Sequence, residues 1–567
     1  MCFFARGVRV ACALVLAAGV SFCHGQATVA PVERAEASGR PAPAAQRYDA
    51  APEGWWQDAV FYEVFVRSFA DSTSGPLAND GVGDLRGLIE RLDYLNDGDP
   101  ETHDDLGVDG IWLMPITDSP SYHGYDTTDY RLVEPDYGTN EDFVALMEAC
   151  RARGIRVVID LVLNHLSSDH PWFKAALDGD PAKRDWFIWR DEDPGFRGPW
   201  NQPVWHRAPD GAYYYGCFWG GMPDLDYENA EVSAAMLDVV RFWLEDMGVD
   251  GFRMDAIRHL IEAGAVQDNT PATHAWLREY FDFVKGVNPE ALSIGEVWAG
   301  SDDVSRYVGG QMDLAFEFDL AYAIIDSVRD EDSARVVDQL GRMEELYPLG
   351  MYATFLRNHD QPRTLHELGG DVEAAKLAAS IQFALPGVPF VYYGEEIGMS
   401  ADKPDPELRT PMQWSGERHA GFSSVRPWKD PKPAYRRVNV AAQTGEVSSV
   451  LSHYRRLIDA RGAHEVLRTG AVEIEPTSVG SVLAIRRRLG DGLGDGVGDG
   501  ASVLCLFNLG TRAVRVADAI GYDPSLLRSR GLVLRDLLNP DAGLPSVLGP
   551  RAAHYLWIGP PDAETAR

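Results

Sequence analysis

The segment GFRMDAIRH, residues 251–259, sets Arg253 and Asp255 two positions apart in an apolar run. Residues i and i+2 of a strand share one face. Guanidinium and carboxylate therefore meet in one space, as a structural bridge or as part of a reaction centre. Other apolar runs also end on polar chemistry: DLVLNH carries Asp160, Asn164 and His165, GEVW carries Glu296, and RNHD carries His359 and Asp360. SYHGYD adds His123, Tyr125 and Asp126. Singly, each acidic residue reads as a cap or a salt bridge. Gathered at one rim, Asp255, Glu296 and Asp360 would raise one another's pKa, a costly arrangement unless one carboxyl must stay protonated while another stays ionised. Retaining glycosidases need such a pair, a nucleophile and an acid/base about 5–5.5 Å apart. Arg253 would hold Asp255 ionised. Glu296, with no cationic neighbour in sequence, is the natural proton carrier, while the histidines and Tyr125 suit hydroxyls and a sugar ring.

Convergence requires strands that end together. From Trp55 to about Ala460, short β-rich runs alternate with helical stretches. The runs are VFYEVFV (60–66), GIWLMP (110–115), IRVVIDLV (155–162), VDGFRMD (249–255), ALSIGEV (291–297), MDLAFEF (312–318), MYATFLR (351–357) and PFVYYG (389–394). Eight such units with helices between them, such as EDFVALMEACRARG and AAMLDVVRFWLEDMG, predict an α/β fold, a (β/α)8 TIM barrel with its site at the C-terminal strand ends. Periodicity alone leaves an open doubly wound sheet as the alternative. The catalytic barrel is expected over residues 53–165 and 230–462. An aromatic-rich insertion over 166–229, too long for a bare loop, forms a domain B. SVLAIRRR and ASVLCLFNLG predict a C-terminal antiparallel β domain over 463–567. Between them GDGLGDGVGDG, residues 490–500, reads as a hairpin insertion rather than a calcium repeat.

The 567-residue chain is 45% hydrophobic and 24% charged, as a folded soluble protein should be, with a formal net charge of -34. Such a surface repels nucleic acid and anionic membranes. MCFFARGVRVACALVLAAGVSFCHGQA predicts an export signal over residues 1–25. Arg6 and Arg9 precede an apolar stretch too short to span a bilayer, and a flexible linker follows over 26–52. The product is then secreted or periplasmic. A lipid anchor at Cys23 is the alternative, disfavoured by bulky Phe22 before it. Beyond that segment Cys150, Cys217 and Cys505 are an odd set, which argues for buried free thiols rather than a disulfide framework.

The ordered set DLVLNH, GFRMDAIRH, GEVW and RNHD resembles the signature segments of the α-amylase family of retaining glycoside hydrolases. MPDLDYENAEV, YHGYDTTDY, VYYGEEIGM and RTPMQW are also similar to family stretches. The resemblance covers Trp55 to about Ala460 and is closest to the intermediate α-amylases between oligo-1,6-glucosidases and neopullulanases. It implies Asp255 as nucleophile, Glu296 as general acid/base and Asp360 as the third acid. Tyr125, His165, Arg253, Arg258, His259 and His359 would bind substrate. Arg258 and His259 after the nucleophile resemble α-1,4-acting amylases. Tyr122 stands where exo-acting α-1,6-glucosidases carry an aspartate that closes the pocket. The resemblance thus implies a secreted, monomeric α-amylase cutting internal α-1,4 bonds of starch-like glucans. RTPMQW points the other way, to an oligosaccharide-acting α-glucosidase or a trehalose synthase-like enzyme. A non-catalytic sugar-binding relative would usually have lost a carboxylate. The resemblance also implies structural Ca2+. One site would use Asp71, Asp80, the Val82 carbonyl and Asp84, and a second Asn164, Asp224 and the His259 carbonyl, both with hard oxygen donors. Polar loop capping is the alternative at both places.

Overall fold

A computed structural model describes residues 54–489, 502–523, 532–541 and 543–559. The expected export segment, linker and Asp-Gly repeat lie outside the described residues. Eight short strands match the eight predicted runs, the last starting one residue early: β1 (Phe61–Val64), β2 (Gly110–Leu113), β3 (Arg156–Leu161), β4 (Gly251–Met254), β5 (Leu292–Gly295), β6 (Leu314–Ala315), β7 (Ala353–Thr354) and β8 (Val388–Tyr392). They pair in the order β6-β5-β4-β3-β2-β1-β8-β7. A parallel bridge from Phe316 to Ala353 joins the two ends. The sheet is therefore a closed barrel, not an open one. Both faces of its strands are covered, which is why they read as continuous apolar runs.

The period-two rule builds the site. Phe61, Val158, Leu292, Ile294, Val388 and Phe390 pack together inside the barrel, with the rings of Phe61 and Phe390 stacked at 4.7 Å. The next position of like parity after Phe61 is Glu63, after Val158 it is Asp160, and after Ile294 it is Glu296. Arg253 is followed in the same way by Asp255. One parity thus gives an apolar plug below and a charged layer at the C-terminal rim.

Helices buttress the outside. Helix α1 (Asn140–Arg151) starts at a reciprocal cap in which Thr139 accepts from the Asp142 amide and Asp142 accepts from the Thr139 amide. The helix predicted before β4 begins as α2 (Ala230–Arg241) and changes to π-helical bonding over Phe242–Asp246. There Trp243 is buried and donates to the Tyr130 carbonyl at 2.8 Å. Between β3 and α2 the chain forms a small antiparallel sheet, Tyr213–Tyr215 lying between Trp189–Arg190 and Trp205–Arg207. It has its own core of Val204, Trp205, Tyr215 and Cys217. A bridge between His165 and Asp224 ties this lobe to the barrel rim.

Helices α3 (Val372–Ala384) and α4 (Val450–Ala463) lead to strands β9 (Ala471–Ile474), β10 (Val482–Arg488), β11 (Ser502–Asn508), β12 (Val533–Asp536) and β13 (Ala553–Gly559). These form an antiparallel sheet in the order β9-β10-β11-β13-β12. Alternate residues face opposite ways: Val482, Ala484 and Leu504 enter a separate small core, and Leu483, Ile485 and Val503 join the barrel's core. Two fully buried arginines rivet that junction. Arg487 donates to the carbonyls of Ala384 at 2.6 Å, Leu467 at 2.8 Å and Gly470 at 2.7 Å. Arg461 reaches Leu385 and Gly387. Several of these carbonyls sit at the negative C-terminal end of α3, which favours a cation. Burial lowers both guanidinium pKa values, Arg461 to about 9 and Arg487 to about 10. Cys150, Cys217 and Cys505 are free and buried.

Candidate active site

Strand ends β3, β4 and β5 meet on one guanidinium. Arg253 Nη1 lies 2.7 Å from Asp160 Oδ1 and 2.7 Å from Asp255 Oδ1, and its Nη2 lies 3.0 Å from Glu296 Oε2. Glu296, with no cationic neighbour in sequence, gains one in space through this contact. Sequence distance hid it, because β4 and β5 are adjacent in the barrel although about 40 residues separate Arg253 from Glu296. Ala256, just after Asp255, takes a left-handed backbone with φ of 50°, uncommon outside glycine. That turn aims its amide at Glu296 Oε2, 3.0 Å away.

Burial governs the protonation of the two carboxyls. It pushes Glu296 up to about 7, against Arg253, with Asp255 and Asp360 adding to the rise. It also pushes Asp255 up to about 6, with Arg253 opposing and Asp160 reinforcing. The single guanidinium is divided among three anions, so it moderates the shift of Asp255 without cancelling it.

Asp360, after β7, behaves oppositely. Burial alone would raise it, yet His359 and Arg409 hold it well below the ordinary range. Arg409 Nη2 is 2.7 Å from its Oδ1 and His359 Nε2 is 3.1 Å from its Oδ2. His359 Nδ1 meets Glu63 Oε1 at 2.6 Å. Asp360 and Glu63 together outweigh burial and raise the imidazole to about 9, so it stands as a cation. The Tyr125 hydroxyl donates to Asp160 at 3.0 Å and contacts His359 Nε2 at 2.7 Å. Its ring stacks on that imidazole at 5.6 Å.

The other expected binding residues reach the same cavity. It has a volume of about 400 Å³, and its lining includes Tyr122, Tyr125, His165, Asp255, His259, Glu296, Asp360 and Arg409. His165 Nε2 lies 3.1 Å from the Tyr125 carbonyl, and burial lowers its pKa to about 3, leaving a neutral ring. His259 Nδ1 lies 2.8 Å from the Gln267 carbonyl. Arg258 also borders the cavity, but its guanidinium is committed to the Trp298 carbonyl and to Asp268. Sequence reasoning missed Glu63, Arg409 and the exposed indoles of Trp200 and Trp298. Glu63 had a signal, a charged residue amid a buried apolar run. Arg409 stood inside RTPMQW, but nothing local tied it to Asp360.

The residues expected to hold calcium divide. In the loop after β1, Asp71 accepts the amides of Asn79 and Gly81, each at 2.9 Å, and Asp80 accepts the Val82 amide at 2.8 Å. Asp84 caps Gly87 at 2.8 Å and also takes the Ser72 amide at 3.1 Å. These carboxylates brace the loop's own amides, each oxygen keeping a lone pair that an ion could use. Among the described residues no group of three or more His, Cys, Asp or Glu side chains is placed to hold an ion. Under the inserted lobe the fit is better. Asn164 Oδ1 and Glu262 Oε1 are buried without partners, and Asn164 Nδ2 donates to Asp224 Oδ2 at 3.0 Å. Burial pushes Asp224 up to about 7 and raises Glu262, with Asp224 the first charged cause. Orphaned oxygens beside carboxylates that resist ionisation suit a hard cation. An ion held by Asn164, Asp224 and the His259 carbonyl would supply charge compensation only.

A closed barrel whose rim gathers buried carboxyls around one arginine is the arrangement of a carboxylate-based glycosidase. The Alpha-amylase family model (alpha amylase, catalytic domain) matches residues 63–470. Alpha-amylase 3 of Dictyoglomus thermophilum is 38% identical over 446 residues, covering 77% of this chain and 84% of that protein. The trehalose synthase/amylase TreS of Mycobacterium tuberculosis is 35% identical over 515 residues, covering 80% and 82%. The crystal structure of an alpha-amylase from H. orenii superposes with a TM-score of 0.73 at 37% identity, covering 88% of this chain and 97% of that one. The chain belongs to the α-amylase family and is a retaining glycoside hydrolase of that kind. Among the described residues no helix is long and apolar enough to cross a membrane.

Proposed function

We propose that this protein is an α-amylase that hydrolyses internal α-1,4-glucosidic bonds of starch-like glucans with retention of configuration. Asp255 attacks the anomeric carbon while Glu296, protonated, gives its proton to the leaving oxygen. The covalent glycosyl-enzyme then falls to a water deprotonated by Glu296, which recovers its proton. Asp360, kept ionised by His359 and Arg409, takes hydroxyl hydrogens of the reacting sugar, and Tyr125 offers that sugar a ring face.

The observation that carries the reading is the division of Arg253 between Asp255 and Glu296 at distances of 2.7 and 3.0 Å. It sets a nucleophile and a proton carrier side by side on one cation. Internal cleavage is supported by Tyr122 in the cavity wall, where a pocket-closing carboxylate would otherwise stand. A second reading, action on short oligosaccharides by hydrolysis or glucosyl transfer, is favoured by one contact. Arg409 of RTPMQW is bound to Asp360 in the mouth.

Chromatography of early products decides between them. Mixed maltooligosaccharides from soluble starch support the first reading, and glucose or trehalose alone supports the second. Activity surviving in Asp255→Asn would refute both. We further propose export with removal of residues 1–25, which N-terminal sequencing of the mature protein would check. A structural calcium bound under the inserted lobe completes the proposal.

A further inference from the structure

Arg363 stands three residues beyond Asp360 and is 2% exposed. It spends its donors on the backbone of the loop that follows β8. Its Nη1 donates to the Tyr393 carbonyl at 2.7 Å and its Nε to the Leu408 carbonyl at 3.0 Å. Its backbone amide donates to the Ala401 carbonyl at 3.0 Å. A single residue of the β7 loop thus grips the β8 loop at its start, its middle and its end. The guanidinium also lies over the rings of Tyr392 at 4.3 Å and Tyr393 at 4.9 Å. Only arginine has a rigid planar fork whose donors can serve two carbonyls at once.

What the loop delivers is Arg409, the residue after Leu408. Arg409 Nη2 donates to Asp360 Oδ1 at 2.7 Å and its Nε to the His359 carbonyl at 3.2 Å. Two hydroxyls fix the same stretch, Tyr392 donating to the Leu408 carbonyl at 3.2 Å and Ser68 to the Arg409 carbonyl at 2.6 Å. The start of the loop is anchored as well. Glu395 accepts from Thr364, the neighbour of Arg363, at 2.6 Å and from Tyr454 of α4 at 2.8 Å. Glu396 accepts from Tyr62 of β1 at 2.9 Å and from Tyr94 at 2.7 Å.

These contacts close a ring. It runs along the chain from Asp360 to Arg363, crosses to Leu408, passes to Arg409 and returns to Asp360. Loops are the parts of a fold most apt to move, and a misplacement of about 1 Å at a reacting centre can cost about 100-fold in rate. We propose that Arg363 is a positioning residue for glycoside cleavage, clasping the β7 and β8 loops together so that Arg409 stays on Asp360 and the third acid keeps its place at the reacting sugar. The inference rests on the role read for Asp360 above and deepens it by naming what holds that acid's partner. It also separates the two loops' tasks: one carries the acid, the other the cation, and neither is set without the clasp.

The test is a double-mutant cycle in the full-length enzyme. For Arg363→Met, Arg363→Lys and Tyr392→Phe, kcat/KM on maltohexaose is measured for each change alone and combined with Arg409→Met, with near-UV circular dichroism to confirm folding. Arg363→Met alone is expected to lose about 10–100-fold. With Arg409 already replaced, the same change should cost less than about threefold, because its effect passes through that side chain. Arg363→Lys keeps the charge but reaches one carbonyl at a time, so it should recover part of the loss. Tyr392→Phe should show a smaller loss that likewise disappears in the Arg409→Met background. Equal losses in the two backgrounds, or no loss in a folded variant, overturn the assignment. Should Arg363→Met not fold, the lysine and phenylalanine variants carry the same comparison. Failure of the internal-cleavage reading would look different: the wild-type enzyme would release glucose or trehalose alone from starch. The cycle is then run on whichever maltooligosaccharide the wild type cuts, so the two ideas fail separately.

Discussion

Replacing Asp160 with Asn tests the sharing of Arg253. Asp160 and Asp255 each touch the same Nη1 at 2.7 Å. Their nearer oxygens therefore lie within about 5 Å of each other, where two unit charges at an effective dielectric constant near 20 repel by about 3 kcal/mol. At about 1.4 kcal/mol per pKa unit, that repulsion is worth about 2 units. Asp255 stands at about 6, raised by burial, lowered by Arg253 and raised again by Asp160. Catalysis needs Asp255 ionised and Glu296 protonated. The profile of kcat/KM is therefore a narrow bell that rises near 6 and falls near 7, the coupled groups titrating together.

Removing the Asp160 charge makes Asp255 easier to ionise and frees Arg253 to serve it, so both effects have the same sign. The acid limb is expected to move down by about 1–2 units. The alkaline limb belongs to Glu296, whose charged neighbours are Arg253, Asp255 and Asp360, and should move less. The assay is initial-rate kcat/KM on maltohexaose from about pH 4 to about pH 9, with near-UV circular dichroism to show that the variant is folded. An acid limb that stays put or moves up in a folded variant would refute the shared-guanidinium account.

Glu296→Gln should cost about 10²–10⁴-fold in kcat on starch, with a smaller loss on α-maltosyl fluoride, whose leaving group needs no proton; equal losses would contradict the acid role. Glu63→Gln removes one of the two carboxylates that raise His359 to about 9. The imidazole then gives up its proton at lower pH, and kcat/KM should drop more at pH 8 than at pH 6, with NMR titration of the ring as the direct check. Arg487→Met strips donors from the carbonyls of Ala384, Leu467 and Gly470. At about 1 kcal/mol per lost bond the cost is about 3 kcal/mol, read by calorimetry as a lower Tm; an unchanged Tm would mean the junction does not depend on it. Chelation by EGTA should lower the Tm of the native enzyme and leave Asn164→Ala unmoved if calcium binds under the inserted lobe.

The barrel was legible because all eight strands are buried on both faces and so appear as apolar runs with long helical intervals. Glu296 was legible because it stands two positions beyond the inward, apolar Ile294 and so points to the rim; Asp255 follows Arg253 at the same spacing, and Asp360 was legible only as part of RNHD after the seventh apolar run. The single predicted helix before β4 turned out to carry a π-helical segment, a change of hydrogen-bond partner that leaves the apolar periodicity nearly intact. Contacts between distant strands left no local trace. Arg409 meets Asp360 across 49 positions and Glu63 meets His359 across 296.

Those illegible contacts decide how alike carboxyls come to differ. Asp255 is buried and Glu296 and Asp360 are partly buried at one mouth, and desolvation alone would raise each of them. Asp360 escapes because it has Arg409 and the His359 cation on two sides. Glu296 does not, because it receives one edge of an arginine already bonded to Asp160 and Asp255. Chemistry that needs one ionised and one protonated carboxyl is thus set less by the acids than by how two arginines and one histidine are apportioned among them.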